Sequence, residues 1–206
     1  MPRPRSLTSA DITAAALAVI DREGLAALSM RIVAAELGVG AMSLYRYVED
    51  RQALELLVVD QVLGAVDTRP LTHASWEEQI TRLAEGVREA VNEHPSCVPL
   101  LLLHRHASKA ARCWTEALLR ALEDGGFAGE KRVIAVRTLV SYINGALQAQ
   151  NLGPLKGQGT EVMAALPEDE YPLLAATARI ARGIEPGTEF RDGLAVVVRG
   201  LRSLRS

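Results

Sequence analysis

A short polar and aromatic segment near residue 45 carries side chains whose chemistry suits contact with DNA. Residues 37–54 read LGVGAMSLYRYVEDRQAL, so a glycine turn precedes a brief helical stretch. On a 3.6-residue period, Leu44 and Val48 turn inward. The outward side chains could bind base edges, sugars and thymine methyls, unless the rings pack into the protein's own core. The outward set is Met42, Ser43, Tyr45, Arg46 and Tyr47.

Arginines flank this segment and extend the possible contact surface. Arg31, Arg46 and Arg51 lie around it, while Arg3 and Arg5 stand in the leading tail, where they could enter a minor groove or bind phosphates. The formal net charge is −2, and the first 51 residues hold six arginines against six acidic residues. Any contact with nucleic acid must therefore be local, because bulk charge does not favour it.

Catalysis and metal binding have weaker support in the sequence. Cys97 or Cys113 with His104 could form a nucleophile and base, but no glycine-rich phosphate loop, HExxH motif or GxSxG motif is present. A zinc site from both cysteines, His104 and His106 would match no standard ligand spacing. We therefore expect no catalytic residue, no cofactor and no metal site. Both cysteines are expected to be reduced and buried.

Composition and periodicity predict a globular, all-α protein. The chain has 206 residues, 49% of them hydrophobic, but no apolar run approaches the roughly 20 residues that span a bilayer. The first residues are too polar for a signal peptide, so we expect a cytoplasmic protein. Helical periodicity is present throughout and strand patterns are missing, which predicts nine to ten helices.

Capping residues mark the helix starts in the first third of the chain. Thr8 with Asp11 forms a capping box, Ser29 and Asp50 are further N-caps, and Gly24 and Gly38 are stops. Two helices joined by a tight glycine turn are typical of a helix-turn-helix. The predicted helices are about 9–23, 29–37, 41–47 and 50–66.

The remainder of the chain predicts a second helical region. Residues 67–74 form the expected domain junction, and Ser75 with Glu78 repeats the capping box. We expect a mobile connection at 155–166, because glycine, threonine and lysine interrupt the pattern. The further predicted helical segments are 75–94, 98–107, 109–123, 130–152, 168–182 and 190–204. The predicted division is a DNA-binding domain at 1–50, a connecting helix at 51–66 and an effector-binding and dimerisation domain at 67–206.

Three short motifs resemble the DNA-binding domain of the tetracycline-repressor (TetR) family. They are Leu37-Gly38-Val39, Leu44-Tyr45-Arg46-Tyr47-Val48 and the basic start Arg51 with Leu54. A weaker likeness to the tetracycline-repressor subgroup extends across the chain, including His73-Ala74-Ser75-Trp76, Gly125-Gly126-Phe127, Asn144-Gly145-Ala146-Leu147 and Tyr171-Pro172-Leu173-Leu174.

The resemblance implies a homodimeric transcriptional repressor that binds a palindromic double-stranded operator and leaves it when a small hydrophobic effector binds. By position, Arg31 matches a guanine contact and Arg51 a phosphate contact, while Met42, Ser43, Tyr45 and Tyr47 match recognition-helix positions. Arg46 and Ala41 depart from the subgroup, so its operator is not expected here. A regulator that needs no ligand is the alternative, and an all-α enzyme is the more distant one.

Two helices of the second region carry faces suited to dimerisation. In 130–152, Val133, Val136, Val140, Ile143 and Leu147 form an apolar stripe beside the small residues Thr138, Ser141, Gly145 and Ala149. The family dimerises through a four-helix bundle made of two helices from each subunit. The alternative is packing within the monomer. The predicted interface residues are Val140, Gly145, Ala149, Leu194, Val197 and Leu201.

Polar and aromatic side chains interrupt the apolar helices and are the candidate effector contacts. Buried polar groups line cavities or complete internal networks. His104 falls where the tetracycline repressor has a histidine that helps hold magnesium-tetracycline, but the acidic residue expected further on is Gln148 here, which argues against a magnesium-chelated drug. The candidates are His104, His106, Trp114, Ser141, Tyr142, Asn144 and Gln148.

Overall fold

The computed structural model describes residues 7–205, and every regular element in that range is a helix. This confirms the predicted all-α class, with more helices than the nine to ten expected, since short 3₁₀-helices at 25–27, 95–97 and 203–205 accompany eleven α-helices. The α-helices are α1 Ser9–Glu23, α2 Met30–Glu36, α3 Ala41–Leu44, α4 Arg51–Gly64, α5 Trp76–Glu93, α6 Val98–Leu103, α7 Lys109–Asp124, α8 Gly129–Leu152, α9 Gln158–Ala164, α10 Pro172–Ala181 and α11 Pro186–Arg202.

The predicted caps form in the structure and explain where the first helices begin. The Asp11 amide donates to the Thr8 hydroxyl at 3.2 Å, and the Asp11 carboxylate accepts from the Thr8 amide at 3.0 Å. The Asp50 carboxylate accepts from the Ala53 amide at 2.7 Å at the start of α4. These bonds satisfy amides that a helix start leaves without an intrahelical partner.

The helix-turn-helix is built around a few buried side chains. Gly38 has φ of 68°, a conformation that glycine adopts without strain, and it reverses the chain between α2 and α3. Leu44 and Val48 are buried, as predicted. The predicted extent of α3 was wrong, because the α-helix ends at Leu44 and residues 45–47 continue as hydrogen-bonded turns. The Tyr47 amide, for example, donates to the Leu44 carbonyl at 2.9 Å in a tighter i to i+3 pattern.

The chain forms two compact units, and neither is one continuous stretch. The first contains residues 7–69 and 89–117, and the second contains 70–88 and 118–205. Polar contacts join the segment 89–117 to α1, α4 and the rest of the first unit, which explains why it does not belong with the second unit. The contacting pairs are Asp21 with His94, Glu55 with His104 and Asp60 with Ser108. The functional division at residues 50 and 66 stays a prediction.

Several predicted elements of the second unit need correction. The segment 155–166, expected as a mobile connection, contains α9, and the Arg179 side chain donates to the carbonyl of its last residue, Ala164, at 3.2 Å. Helices α10 and α11 begin at Pro172 and Pro186 rather than at 168 and 190. Proline is favoured in the first helical turn, because the amide it lacks would have no partner there.

The buried face of α8 differs from the predicted stripe. The buried residues are Ala135, Leu139, Ile143 and Leu147, whereas Val133 is exposed and Val136 and Val140 are half-buried. The valines at 133 and 136 suggested an apolar stripe that lies about one residue position around the helix from the stripe that is buried. The opposite face carries the exposed small residues Thr138, Ser141, Gly145 and Ala149.

The two cysteines lie in different environments, and the prediction that both are buried was wrong for Cys113. Cys97 is buried, and burial, with a smaller effect from Asp21, raises its thiol pKa to about 12. Cys113 is exposed on α7, since it falls on the face of the helix away from buried Trp114. Only the exposed thiol should therefore react in the folded protein.

We expect a disulfide reagent at about pH 8 to modify one thiol per native chain and two per unfolded chain, because the thiolate is the reactive form. The Cys113→Ser variant should lose the native reaction, and the Cys97→Ser variant should keep it. Release of the chromogenic thiol from the reagent measures both. Two fast thiols in the native protein would contradict the burial of Cys97.

Candidate nucleic-acid interface and effector residues

The side chains predicted to face DNA lie on the surface around α3. Met42, Tyr45 and Tyr47 are 79%, 47% and 50% exposed, while Leu44 between them is 0% exposed. Ser43 and Arg46 are also exposed. The side-chain directions predicted from helical periodicity are therefore those in the structure. An apolar and aromatic surface on so short a helix is suited to covering by a nucleic-acid partner.

The predicted arginines differ in their exposure and in their ion-pair partners. Arg31 on α2 is exposed, and Arg51 at the start of α4 is half-exposed and pairs with Glu55 at 2.7 Å. Arg3 and Arg5 lie outside the described residues, so their role stays a prediction. Arg22 is engaged differently, because it bridges Glu23 and Glu36 and lowers the pKa of the Glu36 carboxyl.

A buried polar pair links α4 to the end of α6. The His104 Nε2 and Glu55 Oε2 atoms are 2.9 Å apart, and the two residues are 3% and 8% exposed. The other Glu55 oxygen accepts from Arg51 Nε at 2.7 Å. Sequence reasoning missed Glu55. The i to i+4 spacing of Arg51 and Glu55 was visible, but nothing local indicates a partner 49 residues away.

A second polar contact and a groove lie further along α4. The Asp60 Oδ1 accepts from the Ser108 hydroxyl at 2.5 Å and from the Ala110 amide at 2.9 Å, which caps α7. A groove of about 330 Å³ opens beside it. None of the seven candidate effector residues lines this groove. Its lining residues are Asp60, Leu63, Gly64, Val66, Thr68, Lys109, Ala110 and Cys113.

The three effector candidates of the first unit do not share one environment. His104 and Trp114 are buried, and His104 already has Glu55 as a partner. His106 is exposed, because α6 ends at Leu103 and the chain turns before α7 begins. The apolar helical segment predicted at 98–107 is therefore shorter than expected. His106 has no buried position from which to line a cavity within this unit.

The four candidates of the second unit all lie on α8. The Tyr142 hydroxyl donates to the Phe190 carbonyl at 2.7 Å, and burial, followed by the charge of Glu189, raises the pKa of its phenol. Ser141 is exposed among the small residues, and Asn144 and Gln148 are half-buried. Tyr142 thus has a structural bond within the unit. Asn144 and Gln148 remain the better candidates for contact with a ligand.

The predicted dimer residues divide between core and surface. Gly145 and Ala149 are exposed, and Val140 and Val197 are half-buried. Leu194 and Leu201 are buried within the single chain, so they offer almost no surface to a partner, contrary to their predicted role. They pack inward because Phe190, Leu194, Val198 and Leu201 form the buried stripe of α11. Val196, on another face of α11, is 59% exposed.

Residues 7–205 show neither a clustered metal site nor a helix that could span a membrane. In that range, no three histidine, cysteine or acidic side chains come together as a possible metal site. None of the helices described there combines the length and the apolar character needed to cross a membrane.

The helix-turn-helix with its exposed aromatic and basic surface defines a DNA-binding regulator. Residues 12–55 match the N-terminal family "Bacterial regulatory proteins, tetR family", and residues 69–205 match "Tetracyclin repressor-like, C-terminal domain". The second match alone covers more than half of the chain. The chain belongs to the tetR family of transcriptional regulators.

Named relatives agree with this assignment. The HTH-type transcriptional repressor DrrR1 of Streptomyces coeruleorubidus is 31% identical over 150 residues, covering 72% of this chain and 55% of that protein. This chain therefore spans just over half the length of DrrR1. An HTH-type transcriptional regulator of Saccharopolyspora erythraea is 30% identical, with 95% and 84% covered. The class E tetracycline repressor of Escherichia coli is 28% identical, with 92% and 88% covered.

A solved relative shares the fold over its whole length. The TetR family protein ActR of Streptomyces coelicolor, solved in complex with (S)-DNPA, has a TM-score of 0.81 and 27% identity. The alignment covers 96% of this chain and 98% of ActR. ActR has also been solved with actinorhodin, at 26% identity and the same TM-score.

Proposed function

We propose that this regulator is a homodimeric repressor that binds a palindromic operator in double-stranded DNA and leaves it when a small hydrophobic effector binds. The observation that carries the DNA-binding part is the exposure of Met42, Tyr45 and Tyr47 around buried Leu44. Such a regulator acts on the chromosome, so we place it in the cytoplasm.

The exposed side chains have distinct roles in this proposal. Arg31 binds a guanine through O6 and N7, a pairing that the planar guanidinium fork favours. Met42, Ser43, Tyr45, Arg46 and Tyr47 meet the major groove, and Arg51 binds a phosphate. Arg3 and Arg5 contribute further contacts from the tail. Two copies of α3, about 34 to 36 Å apart, would reach successive major grooves.

Dimerisation is proposed through the exposed small-residue face of α8 together with α11. Gly145 and Ala149 permit a close approach of helix backbones, and exposed Val196 supplies apolar area on α11. Val140 and Val197 are half-buried and could be covered further by a partner. A two-fold arrangement of these helices gives the symmetric pair of recognition helices that a palindrome requires.

Effector release is supported by a solved relative that binds small molecules. ActR has been solved with actinorhodin and with (S)-DNPA. Within the second unit, the half-buried amides of Asn144 and Gln148 are the proposed contacts, and within the first unit His104 and Trp114 are separate candidates. Gln148 supplies a neutral amide where the tetracycline-repressor pattern has a carboxylate, so we propose an effector that binds without a chelated magnesium ion.

The first test is DNA binding by the full chain. Duplexes are selected from a random pool, and the enriched operator is used in a mobility-shift assay. Arg31→Ala should weaken binding at least about 10-fold, since one good guanine contact contributes roughly 1–3 kcal/mol. Arg105→Ala removes the same charge from an exposed position of the same unit and should change binding less than about 2-fold. Equal loss in both variants would contradict the assigned contact.

The second arm of that experiment tests release. The complex of protein and operator is titrated with a panel of hydrophobic drugs and metabolites, and a releasing compound should also raise the melting temperature of the free protein. A compound that binds tenfold tighter to the DNA-free state shifts the equilibrium by about 1.4 kcal/mol. Operator binding that no compound changes would favour the ligand-independent regulator instead.

A further inference from the structure

We propose that Glu55 and His104 are positioning residues for Arg51, and that their buried pair controls how strongly Arg51 binds the operator phosphate. This inference rests on the proposed function, because it takes Arg51 as a phosphate contact. It adds two residues that do not touch DNA and a route by which a change at the end of α6 reaches the DNA backbone contact. All three residues belong to the first compact unit.

The geometry at Arg51 leaves part of its guanidinium available. Arg51 is the first residue of α4, and its side chain is 50% exposed. Its Nε donates to Glu55 Oε1 at 2.7 Å, and one Nη2 hydrogen points to the Leu25 carbonyl at 3.5 Å. A guanidinium has five N–H donors. One edge is therefore held by the protein while other donors can bind a phosphate.

The geometry at Glu55 explains why only one of its oxygens serves Arg51. Its side chain is 10% exposed, and Oε2 is held by His104 Nε2 at 2.9 Å. His104 is itself 3% exposed, so its ring has little freedom to turn away. A buried carboxylate requires partners for its oxygens, and here each oxygen has one. Glu55 is consequently fixed, and it offers Arg51 a single bond.

Loss of the hydrogen bond from His104 to Glu55 should strengthen the pairing of Glu55 with Arg51. With Oε2 released, Glu55 can offer both oxygens to Arg51, and arginine binds carboxylates in two parallel bonds when geometry allows. That pairing would turn the guanidinium toward Glu55 and away from the phosphate. A ligand that takes the His104 Nε2 hydrogen bond would therefore weaken DNA binding through Glu55 and Arg51, without touching either.

The test is a double-mutant cycle on operator affinity, measured by fluorescence anisotropy at several salt concentrations. His104→Leu, which cannot bind Glu55, should weaken binding about 10-fold in the wild-type background and less than about 2-fold in the Arg51→Ala background, since coupled residues are not additive. His104→Leu should also make the plot of log binding constant against log salt concentration less steep, toward the slope of Arg51→Ala. The slope should change by at most about 1.8, which corresponds to two phosphate contacts per dimer.

A conservative variant separates positioning from general packing. His104→Gln places an amide donor near the position of Nε2, so it should stay within about 2-fold of wild-type affinity. Thermal melting checks that each variant is folded at the assay temperature. If His104→Leu is not folded at that temperature, His104→Asn replaces it in the cycle, because the shorter asparagine amide does not reach Glu55.

The outcomes distinguish this inference from the proposed function. Arg51→Ala binding with wild-type affinity and salt dependence would reject the phosphate contact itself. Arg51→Ala binding weakly, with His104→Leu equally harmful in both backgrounds, would reject only the coupling. Loss of affinity in His104→Gln as large as in His104→Leu would also overturn it, because the restored hydrogen bond would then have no effect.

Discussion

Replacing both Tyr45 and Tyr47 with alanine is expected to lower operator affinity about 100-fold or more and to leave the protein folded. Both rings are about half-exposed, so their removal takes little from the core of the protomer. Surface substitutions usually change stability by about 0.5 kcal/mol or less. On DNA, a dimer would lose four aromatic contacts, and a total of only about 2.8 kcal/mol corresponds to 100-fold. Anisotropy with the selected operator measures the affinity.

Leu44→Ala is the matched control on the same short helix. Leu44 is 0% exposed, and truncating a buried leucine destabilises a protein by about 2–5 kcal/mol. The leucine variant should therefore lower the melting temperature, whereas the double tyrosine variant should change it little. A double tyrosine variant that melts like Leu44→Ala would mean that the rings support the fold, and the assigned recognition surface would then be wrong.

The first third of the fold could be predicted because its determinants are local. Thr8, Ser29 and Asp50 each accept a backbone amide three residues ahead, so the cap and its partner are visible in the same few letters. Gly38 has the positive φ expected of a stop residue. The outward direction of Tyr45 and Tyr47 follows from the burial of Leu44 between them. Short-range rules were sufficient here.

The buried pair of Glu55 and His104 could not be predicted in the same way. Its atoms come from α4 and the end of α6, and only the packing of the first unit brings them together. The sequence placed residues 89–117 entirely in a C-terminal domain, and it named no partner for Glu55 in that segment. His104 was identified as a candidate effector contact from its polarity and from its position in the family resemblance. The structure instead gives it a partner that leads to Arg51.

The face of α8 shows a second limit of sequence reasoning. Valines at 133, 136 and 140 suggested the buried stripe, but a helix rotated slightly about its axis buries Ala135 and Leu139 instead. When apolar residues lie on several sides of a helix, their periodicity shows the spacing of the buried stripe, but it does not show which side of the helix is buried. The same helix nevertheless carries its small residues together on one face, as predicted, and the structure adds that this face is exposed in the single chain.

The largest effect expected in the second unit is the loss of the dimer in Gly145→Glu. Gly145 is exposed near the middle of α8, and no atom lies within 4 Å of the position that a Cβ would occupy. A side chain there is therefore tolerated by the single chain, and replacing a helical glycine removes a penalty of up to about 1 kcal/mol. Across a two-fold interface the two carboxylates would instead meet, and the close approach of the helices would be lost.

Gly145→Glu should therefore sediment as a folded monomer at concentrations where the wild type is a dimer, with helical circular dichroism retained. Operator affinity should fall by about 100-fold or more, because each protomer would then bind one half-site alone and lose the gain from linked binding. Gly64→Glu is the matched control, since it adds the same charge at an exposed helical glycine with equally open space in the first unit. A Gly145→Glu protein that remains dimeric and binds the operator normally would place the interface on another surface, such as the exposed apolar residues of α9 and α10.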